Sequence, residues 1–386
     1  MKKISVFICV HLWTIFLVIS ASAQDFKTIN NGIEYAEMTR EIDKLPVKIN
    51  LLRLDLTKVR LDVVHAMDAA IGTETTSSMA KRHGAFAAIN AGFFRLDKSI
   101  FAGDAAGTLM INKKLLSESF DFSNSIFGRI NLMISNQRGR TSVSMERMKI
   151  KNWIVTKNKH FSVGTNRERS ENDIVLYTKS FANTTLTDNK GLEFIVKNDR
   201  VIKIFNGTGN NQIPVNGYVI SVSGSSRNEA LNFLKLKTKA RISSGVETSS
   251  GLLSHLRNGL AFLSKTEDIT NGVPQLIKNG VIEITWEQEK SSKAFVETKH
   301  PRTAVAKLKD GKFLMVTVDG RSEESGGIGL QNLAEILLEL GATDAMNLDG
   351  GGSTTMFLDG KVVNHPSDKE GERKVSDAIL VTQRRK

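Results

Sequence analysis

The sequence predicts an α+β fold in which large, twisted and mostly antiparallel sheets pack against a few helices. Three observations support this class of fold. Short apolar–polar alternations recur along most of the chain, which is typical of strands with one buried face. Only three segments combine helical periodicity with helix start or stop signals. Asp-Gly and Asn-Gly pairs between apolar runs indicate tight turns.

The first predicted strands are Val47–Leu54 and Val59–Val64, which alternate apolar and polar residues. The intervening Asp55–Lys58 segment is expected to be a turn, so this pair predicts a hairpin with one buried face. Thr75–Ser78 provide capping residues for a helix that runs to about residue 83 and ends at Gly84. The other predicted elements are a buried strand at Ala85–Ile89, a helix from Ser225–Ser226 to about Lys235, a turn at Asn279–Gly280, strands at Ala304–Leu308, Phe313–Val318, Asp344–Asp349 and Ala378–Val381, and a helix at Ile328–Leu340 that ends at Gly341.

The first 23 residues are typical of a secretory signal peptide. Lys2–Lys3 form a charged start, Ile4–Ile19 form an apolar stretch, and Ala21–Ala23 match the small-x-small cleavage pattern. We therefore expect cleavage after Ala23 and a periplasmic or secreted protein without a stable membrane span. The alternative is an uncleaved N-terminal anchor.

Composition places the rest of the chain among ordinary soluble globules, with 40% hydrophobic and 24% charged residues. Cys9 is the only cysteine, so the protein is expected to work outside the cytoplasm without disulfides. Residues 24–386 are expected to form one domain, which includes the strands at about 47–65. Loss of the signal peptide lowers the net charge from +12 to +10. Such a surface attracts polyanions, including anionic glycans, although it can equally be merely solvated. Nucleic acid is not an expected partner, because no binding motif is present.

Three predicted strands end in a polar residue beside glycine, namely at Asn90, Asp319 and Asp349. Strand ends beside glycine-rich loops commonly carry chemistry. Asp-Gly alone can be a simple turn, but Gly350–Ser353 contains more glycine than a turn needs, and Arg321 follows Asp319-Gly320 where a second hairpin strand would begin. Asp349 and Asp319 are therefore the candidate catalytic residues.

Arginines next to these motifs are candidate phosphate ligands, because a guanidinium group offers a planar fork of donors and stays charged. They are Arg302, Arg321 and Arg373. The alternative is that each pairs with a structural carboxylate. Ser353 lacks a nucleophile elbow and an evident histidine partner, so its hydroxyl and the neighbouring N–H groups are predicted to donate to a bound anion.

A dedicated zinc site is not predicted, because no two histidines have the spacing of a zinc-binding helix. No cofactor is required by the pattern, but Ca²⁺ or Mg²⁺ bound near Asp319 and Asp349 remains an open alternative. Phe93 and Phe94, which follow Asn90, are the best candidates for an aromatic sugar platform.

Five motifs resemble the phosphodiester glycosidase family in order and spacing, from about residue 47 to the end of the chain. They are A-I-N-A-G-F-F at 88–94, H-P-R-T-A-V at 300–305, V-D-G-R at 318–321, N-L-D-G-G-G-S-T-T-M at 347–356 and E-R-K-V-S-D-A at 372–378. The resemblance implies catalytic roles for Asp349 and Asp319. It implies substrate- or phosphate-binding roles for Asn90, Arg302, Arg321, Asn347, Gly350, Gly351, Gly352, Ser353 and Arg373. The chain departs from the family pattern at two places. One is the Asn271–Pro274 segment, and the other is Asp377, where the family often has asparagine.

The resemblance implies a secreted hydrolase that removes a sugar from a phosphodiester, with an N-acetylglucosamine-α-phosphodiester as the model substrate. A phosphate leaving group needs cations and N–H donors more than a general acid, and a carboxylate is needed at the anomeric centre. Two alternatives remain open at this point. One is a metal-assisted phosphodiesterase that attacks phosphorus, and the other is a non-catalytic envelope protein that binds anionic glycans.

Overall fold

The computed structural model describes residues 25–118, 128–248, 251–253 and 263–384. The predicted signal peptide and its cleavage site lie outside the described residues. Within the described ranges, no helix has the length and apolar character that crossing a membrane would require. The single-domain assignment stays a prediction.

The first sheet has eight strands, and every pairing in it is antiparallel. It contains the strands that precede Asp319 and Asp349. In spatial order its strands are β1 (Lys27–Asn30), β2 (Ile33–Ile42), β3 (Leu45–Leu54), β22 (Phe313–Val318), β21 (Arg302–Leu308), β23 (Ala342–Asn347), β19 (Gln275–Lys278) and β20 (Val281–Ile282).

The second sheet has twelve described strands, and only the β11–β12 pair in it is parallel. Its main path is β14 (Arg200–Asn206), β13 (Leu192–Lys197), β15 (Gly217–Val222), β12 (Ile174–Thr178), β11 (His160–Thr165), β10 (Arg140–Val155), β9 (Ile130–Gln137), β18 (Asp268–Asn271), β7 (Leu109–Ile111) and β8 (Lys114–Ser117), while β16 (Arg241–Thr248) pairs with β10 and with β17 (Gly251–Leu253).

The third sheet is antiparallel and has five strands. Their order is β25 (Lys361–Val362), β24 (Met356–Leu358), β6 (Ala87–Asn90), β27 (Asp377–Gln383) and β4 (Val59–His65), and a separate two-stranded ladder joins β26 (Lys374–Val375) to β5 (Glu74–Thr75). The strand ends that carry Asn90 and Asp377 are therefore adjacent.

The described helices are short and lie on the sheets. They are α1 (Thr76–Arg82), α2 (Ser226–Phe233), α3 (Lys293–Glu297) and α4 (Leu330–Glu339). Thr75 caps α1 by accepting a hydrogen bond from the N–H of Ser78 at 3.2 Å, as its sequence predicts. The apolar face of α4 is buried in the core on one side of the first sheet, and Gly341 follows it with φ +89°.

Apolar side chains from all three large sheets meet in one core. Leu52 and Val305 come from the first sheet, Leu132 from the second, and Leu61 and Ile379 from the third. Each of these side chains is at most 1% exposed. The sheets are therefore packed against each other through a shared apolar layer, which fixes the relative positions of the strand ends.

The predicted hairpin at residues 47–64 is wrong. β3 pairs with β2 and β22, whereas β4 pairs with β27 in the third sheet. The physical reason is that both faces of β3 are buried, with Ile49 and Leu51 in the core beneath α4 and Leu52 in the core between the sheets. The 55–58 turn passes the chain from one sheet to the other.

The predicted class of fold is confirmed in its antiparallel sheets, but the helical part is smaller than an α+β label suggests. Strands dominate the described residues, and the longest described helix has 10 residues. The helices predicted near 75–83, 225–235 and 328–340 are present, whereas α3 was not predicted.

Candidate functional site

The segment after β23 places the Asp349 carboxyl between two sheets. β23 ends at Asn347, and two residues later the N–H of Asp349 donates to the carbonyl of Ala91 at 2.9 Å. The N–H of Gly350 donates to Oδ1 of Asp349 at 3.0 Å. Main-chain bonds from the first sheet to the end of β6 therefore hold this carboxyl in place.

Glycines after Asp349 allow close packing of the turn that follows. Gly351 has φ +61°, a conformation that favours glycine, and begins a 3₁₀ turn at Gly351–Ser353. A Cβ at Gly352 would collide with the guanidinium of Arg373 and the carboxylate of Asp368. These glycines are required by the local packing, whether or not a ligand approaches them.

Most N–H groups of this turn already have protein partners. The N–H of Gly350 bonds the Asp349 carboxylate, that of Gly351 bonds the carbonyl of Pro301 at 2.8 Å, and that of Ser353 bonds the carbonyl of Gly350 at 3.2 Å. The predicted anion nest is therefore at most partly available in this conformation. Anion binding by residues 350–353 stays a prediction.

Three consecutive hydroxyl groups follow, and each is buried. Oγ of Ser353, Oγ1 of Thr354 and Oγ1 of Thr355 make no hydrogen bond to the described part of the chain. A buried hydroxyl without a partner is costly, by about 1–3 kcal/mol. These unpaired hydroxyls therefore indicate a buried polar partner, such as solvent, in the segment that follows Asp349.

Burial raises the pKa of Asp349 to about 6. The negative charge of Asp377 raises this pKa further, whereas the Ser353 hydroxyl, the N–H of Gly350 and the charge of Arg373 lower it. The Ser353 hydroxyl favours the charged form by its proximity, although it does not have the geometry of a hydrogen bond. Asp349 can therefore exchange a proton near neutral pH.

Asp377 is a buried carboxyl near the half-buried Asp349, and it is 1% exposed. Its Oδ1 accepts from the N–H of Gly92 at 2.9 Å, and its Oδ2 accepts from Oγ1 of Thr270 at 2.7 Å. Its carbonyl accepts from the N–H of Ala91, whose own carbonyl is bonded to Asp349. The sequence marked Asp377 only as a departure from the family pattern, so its place in the site is new.

Asn271 is a candidate site residue that sequence reasoning missed. It ends β18, is 1% exposed, and neither atom of its side-chain amide has a partner among the described residues. Its amide lies between Gly92 and Gly107, since a Cβ on either glycine would come within 3 Å of it. The available signal was the same one that marked Asp349, a polar residue before glycine at a strand end.

Asn90 and Asn347, both predicted to bind substrate, make structural hydrogen bonds. Nδ2 of Asn90 donates to the Asp349 carbonyl at 2.6 Å, and its Oδ1 accepts from Oγ1 of Thr303 and the N–H of Thr355. Nδ2 of Asn347 donates to the carbonyl of Val273 at 2.7 Å. Their contact with substrate stays a prediction.

Asp319 lies at the end of β22 and is 5% exposed. Its Oδ1 accepts from Nδ2 of Asn364 at 3.2 Å and from the N–H of His365 at 3.0 Å. Asn364 also donates to the carbonyl of Thr354, which ties Asp319 to the segment after Asp349. Burial raises the pKa of Asp319, while these donors and the charges of His365 and Lys48 lower it.

Arg302 is a buried cation without a carboxylate partner among the described residues. Its Nε donates to the carbonyl of Ile328, its Nη2 donates to those of Phe295 and Thr298, and its guanidinium lies 4.8 Å from the Phe295 ring centre. Burial lowers its pKa to about 10, so it stays charged at neutral pH. It contributes positive potential from below the surface.

Arg321 and Arg373 differ in how their charge is used. Arg321 is exposed, its guanidinium lies beside Gly351, and Nη1 makes only a 3.4 Å bond to Ser367. Arg373 instead forms a two-pronged salt bridge with Asp368, at 2.7 and 3.0 Å. Arg373 therefore pairs with a structural carboxylate, which was the alternative interpretation of these arginines. Arg321 has no carboxylate partner within the described ranges.

His300, to which the sequence assigned no role of its own, lies close to Arg302 and Arg321. Burial, followed by the charges of Arg302 and Arg321, lowers its pKa, so the ring is neutral at neutral pH. Its Nδ1 is buried without a partner in the described structure. Nearby, the Phe93 ring meets Phe295 edge-on with centroids 6.1 Å apart.

The described residues contain no group of three His, Cys, Asp or Glu side chains that could hold a metal ion. Asp319 and Asp349 do not provide such a group by themselves. A role for Ca²⁺ or Mg²⁺ stays a prediction, and no step below depends on one.

Fold and site together define a sheet-dominated protein with a carboxyl and arginine centre at its strand ends. A family model for phosphodiester glycosidases matches residues 190–382, which is half of the chain. The chain belongs to the phosphodiester glycosidase family.

Individual relatives match more narrowly in sequence. The N-acetylglucosamine-1-phosphodiester alpha-N-acetylglucosaminidase of Bos taurus is 38% identical over 109 residues, which cover 26% of this chain and 20% of that enzyme. The chain therefore spans only a fifth of that relative's length.

Two crystal structures share the fold over most of the chain. A hypothetical protein from Synechocystis has a TM-score of 0.75 at 24% identity, covering 94% of this chain and 65% of that chain. A candidate exported protein from Burkholderia pseudomallei has a TM-score of 0.71 at 23% identity, covering 87% of this chain and 74% of that chain.

Proposed function

We propose that the protein hydrolyses glycosyl phosphodiesters by attack at the anomeric carbon, with an N-acetylglucosamine-α-phosphodiester-like substrate. The observation that carries this proposal is the Asp349 carboxyl, whose pKa burial raises to about 6, beside a turn against which the Arg321 guanidinium lies. Membership of the phosphodiester glycosidase family and the activity named for the bovine relative support it.

The leaving group determines which residues the reaction needs. A departing phosphate monoester has a second pKa of about 6, so it requires little protonation. Its developing charge requires cations, and Arg321 and Arg302 are the two arginines here without carboxylate partners among the described residues. Arg321 is positioned to contact the phosphate, while the buried Arg302 contributes charge from behind the His300–Pro301 segment.

Asp349 then acts on the sugar. In its ionised form it stabilises the oxocarbenium-like centre or activates the attacking water, and Asp319 is the second candidate for either role. Buried water would link the sugar hydroxyls to the hydroxyls of Ser353, Thr354 and Thr355, which are buried and lack partners in the described structure. Asn271 would supply a further donor and acceptor on the Asp377 side of the centre.

We also propose that the protein is exported. The signal-like first 23 residues support this location. N-terminal sequencing of protein isolated from the cell envelope or medium should give Gln24 as the first residue. An N-terminus at Met1 in exported protein would instead favour the uncleaved anchor.

The deciding experiment is hydrolysis of an N-acetylglucosamine-α-phosphodiester in ¹⁸O water by the wild-type protein and by Asp349→Asn. The proposal expects ¹⁸O in the released sugar, and loss of turnover in the variant. Label in the phosphate would mean attack at phosphorus and favour the phosphodiesterase. Absence of turnover across glycosyl phosphates, with retained glycan binding, would favour the non-catalytic alternative.

A further inference from the structure

A second cavity lies beside the candidate active site, on the far side of Asn271. Its volume is about 660 Å³, and its walls come from the loops at 95–107 and 167–173 and from the end of β8. The residues that matter for its chemistry are Arg95, Asp104, Gly107, Glu118, Arg167 and Asp173.

The arginines of this cavity are already neutralised. Arg95 forms salt bridges with Asp97 and Glu168. Arg167 bonds Glu118 through Nε at 2.6 Å, and it also forms a salt bridge with the Asp173 carboxylate. Neither guanidinium is therefore free to bind an anionic ligand.

Asp104 is the one acid of this wall that is buried and has no salt bridge within the described ranges. It is 8% exposed, and its Oδ1 has no hydrogen-bond partner among the described residues. Its main chain is fixed, because its carbonyl accepts from Arg95 at 2.8 Å and its N–H donates to Phe101 at 3.0 Å. The Ser117 hydroxyl acts on the same carboxyl and lowers its pKa, so the unpaired oxygen is Oδ1 alone. A fixed, buried carboxyl with one unpaired oxygen on a cavity wall favours a polar ligand.

A thin partition separates the cavity from the candidate active site. Gly107 lines the cavity, and a Cβ on it would lie 2.6 Å from Cγ of Asn271. On its other side the Asn271 amide lies beside Gly92, whose N–H bonds the Asp377 carboxylate. One asparagine side chain therefore separates this cavity from the Asp349–Asp377 centre.

We propose that this cavity is a second binding site for a neutral polyhydroxylated ligand, such as a saccharide unit, with Asp104 bonding one of its hydroxyl groups. The site is defined by its own geometry, so it does not require the proposed hydrolysis.

Charge and hydrogen-bonding capacity together favour a hydroxyl over the other ligand classes. The described lining contains five carboxyl groups and two guanidinium groups, which disfavours phosphate or another anion. An ammonium ion only donates hydrogen bonds, so it would pair with the ionised form of Asp104 but not with the protonated form. Burial raises the pKa of Asp104 to about 7, against the opposing effect of the Arg95 charge, so the acid exchanges its proton near neutrality. A hydroxyl both donates and accepts, and so it can pair with either form of the acid.

The test is calorimetric titration of the full protein with N-acetylglucosamine, glucose and maltose. Asp104→Ala removes the carboxyl without leaving a donor or an acceptor in its place, and it should weaken saccharide binding about tenfold or more, equivalent to about 1.4 kcal/mol. Glu171→Gln removes an exposed carboxylate from the rim of the same cavity and should change binding less than about twofold. Thermal melts of both variants confirm that they are folded.

Three outcomes would overturn the proposal. The first is saccharide binding that Asp104→Ala leaves unchanged. The second is loss of binding in Asn271→Ala alone, which would place the ligand on the Asp349 side of the partition. The third is preferential binding of ethanolamine or inorganic phosphate over the saccharides.

Steady-state kinetics then tell whether the ligand is part of the substrate. If it is, Asp104→Ala will raise KM for a phosphodiester with a saccharide aglycone and not for the methyl diester. A separate ligand leaves both KM values unchanged.

Discussion

Asp349 and Asp377 are joined through the main chain of a single residue, Ala91. The N–H of Asp349 donates to the Ala91 carbonyl at 2.9 Å, and the Ala91 N–H donates to the Asp377 carbonyl at 3.1 Å. This link keeps the half-buried Asp349 and the buried Asp377 near each other, and the charge of Asp377 raises the pKa of Asp349. Their titrations are therefore expected to be interdependent.

Asp377→Asn should shift the acidic limb of the pH–rate profile to lower pH. The ionised form of Asp349 is the active one in the proposed reaction, so wild-type activity should rise through pH of about 6. Removing the Asp377 charge removes one contribution that raises the Asp349 pKa, while the opposing charge of Arg373 remains. We expect a shift of up to about one pH unit, measured as kcat/KM between pH 4 and 8.

The substitution preserves most of the local bonding. Its amide oxygen can still accept from the N–H of Gly92, and its NH₂ group can donate to Thr270. Thr270→Val is a matched control, because it removes one hydrogen bond to Asp377 without removing a charge. An acidic limb that stays in place in Asp377→Asn would show that the two carboxyls are not coupled.

Asp349→Asn should be more stable than the wild-type protein at alkaline pH. Because the pKa of Asp349 is raised in the folded state, the unfolded chain loses this proton first as pH increases from about 4 to 6. Above that window the half-buried carboxylate lowers the free energy of unfolding by up to about 3 kcal/mol. The asparagine variant does not have this cost.

Urea unfolding at pH 8 and pH 4 measures the effect. The gain in unfolding free energy of Asp349→Asn over the wild-type protein should be present at pH 8. It should shrink at pH 4, where both folded proteins carry a neutral side chain at position 349. The exposed variant Asp310→Asn is a control in which no such pH dependence is expected. If the variant and the wild-type protein differ in unfolding free energy by the same amount at both pH values, the pKa of Asp349 is not raised.

Local sequence signals predicted the elements but not how distant ones combine. Capping residues and periodicity were enough for α1 and α4, because these features depend on neighbours within a few residues. Pairing of β3 and β4 was predicted wrongly, because burial of both faces of β3 depends on strands far away in sequence. The cluster around Asp349 was predicted from its glycines, whereas Asn271 reaches the site only through the arrangement of sheets.

Asn90→Ala should destabilise the protein and reduce activity together. The side chain is fully buried and supplies an acceptor to Thr303 and to the N–H of Thr355, besides its bond to the Asp349 carbonyl. Removing it leaves buried donors unpaired, at a cost of about 1–3 kcal/mol each. The free energy of unfolding, measured by chemical denaturation, and kcat/KM should both fall. The exposed variant Asn158→Ala should alter neither.

A second variant separates positioning from substrate contact. Asn90→Asp keeps the acceptor oxygens but replaces the donor to the Asp349 carbonyl. If Asn90 only positions Asp349, the loss should be in kcat with little change in KM. A large rise in KM with unchanged kcat would instead support direct binding of substrate, as the sequence predicted.

Arg321→Ala should lower kcat/KM by about 10- to 100-fold and leave stability unchanged. The guanidinium lies beside Gly351 and makes only one long hydrogen bond, so folding depends little on it. A charge-assisted bond to phosphate is worth about 1.5–3 kcal/mol, which sets the size of the expected loss. Arg302→Ala should instead lower stability strongly, because three buried main-chain bonds depend on that side chain.

Salt dependence distinguishes a phosphate contact from a remote effect of charge. The Arg321→Ala loss should shrink only modestly between 0.05 and 0.5 M salt if the arginine touches the phosphate, because direct pairs are screened less than distant ones. Arg241→Ala removes an exposed arginine from the second sheet and should change kcat/KM less than about twofold at any salt concentration. An Arg321→Ala effect that disappears at high salt would mean that the arginine attracts the substrate without binding it.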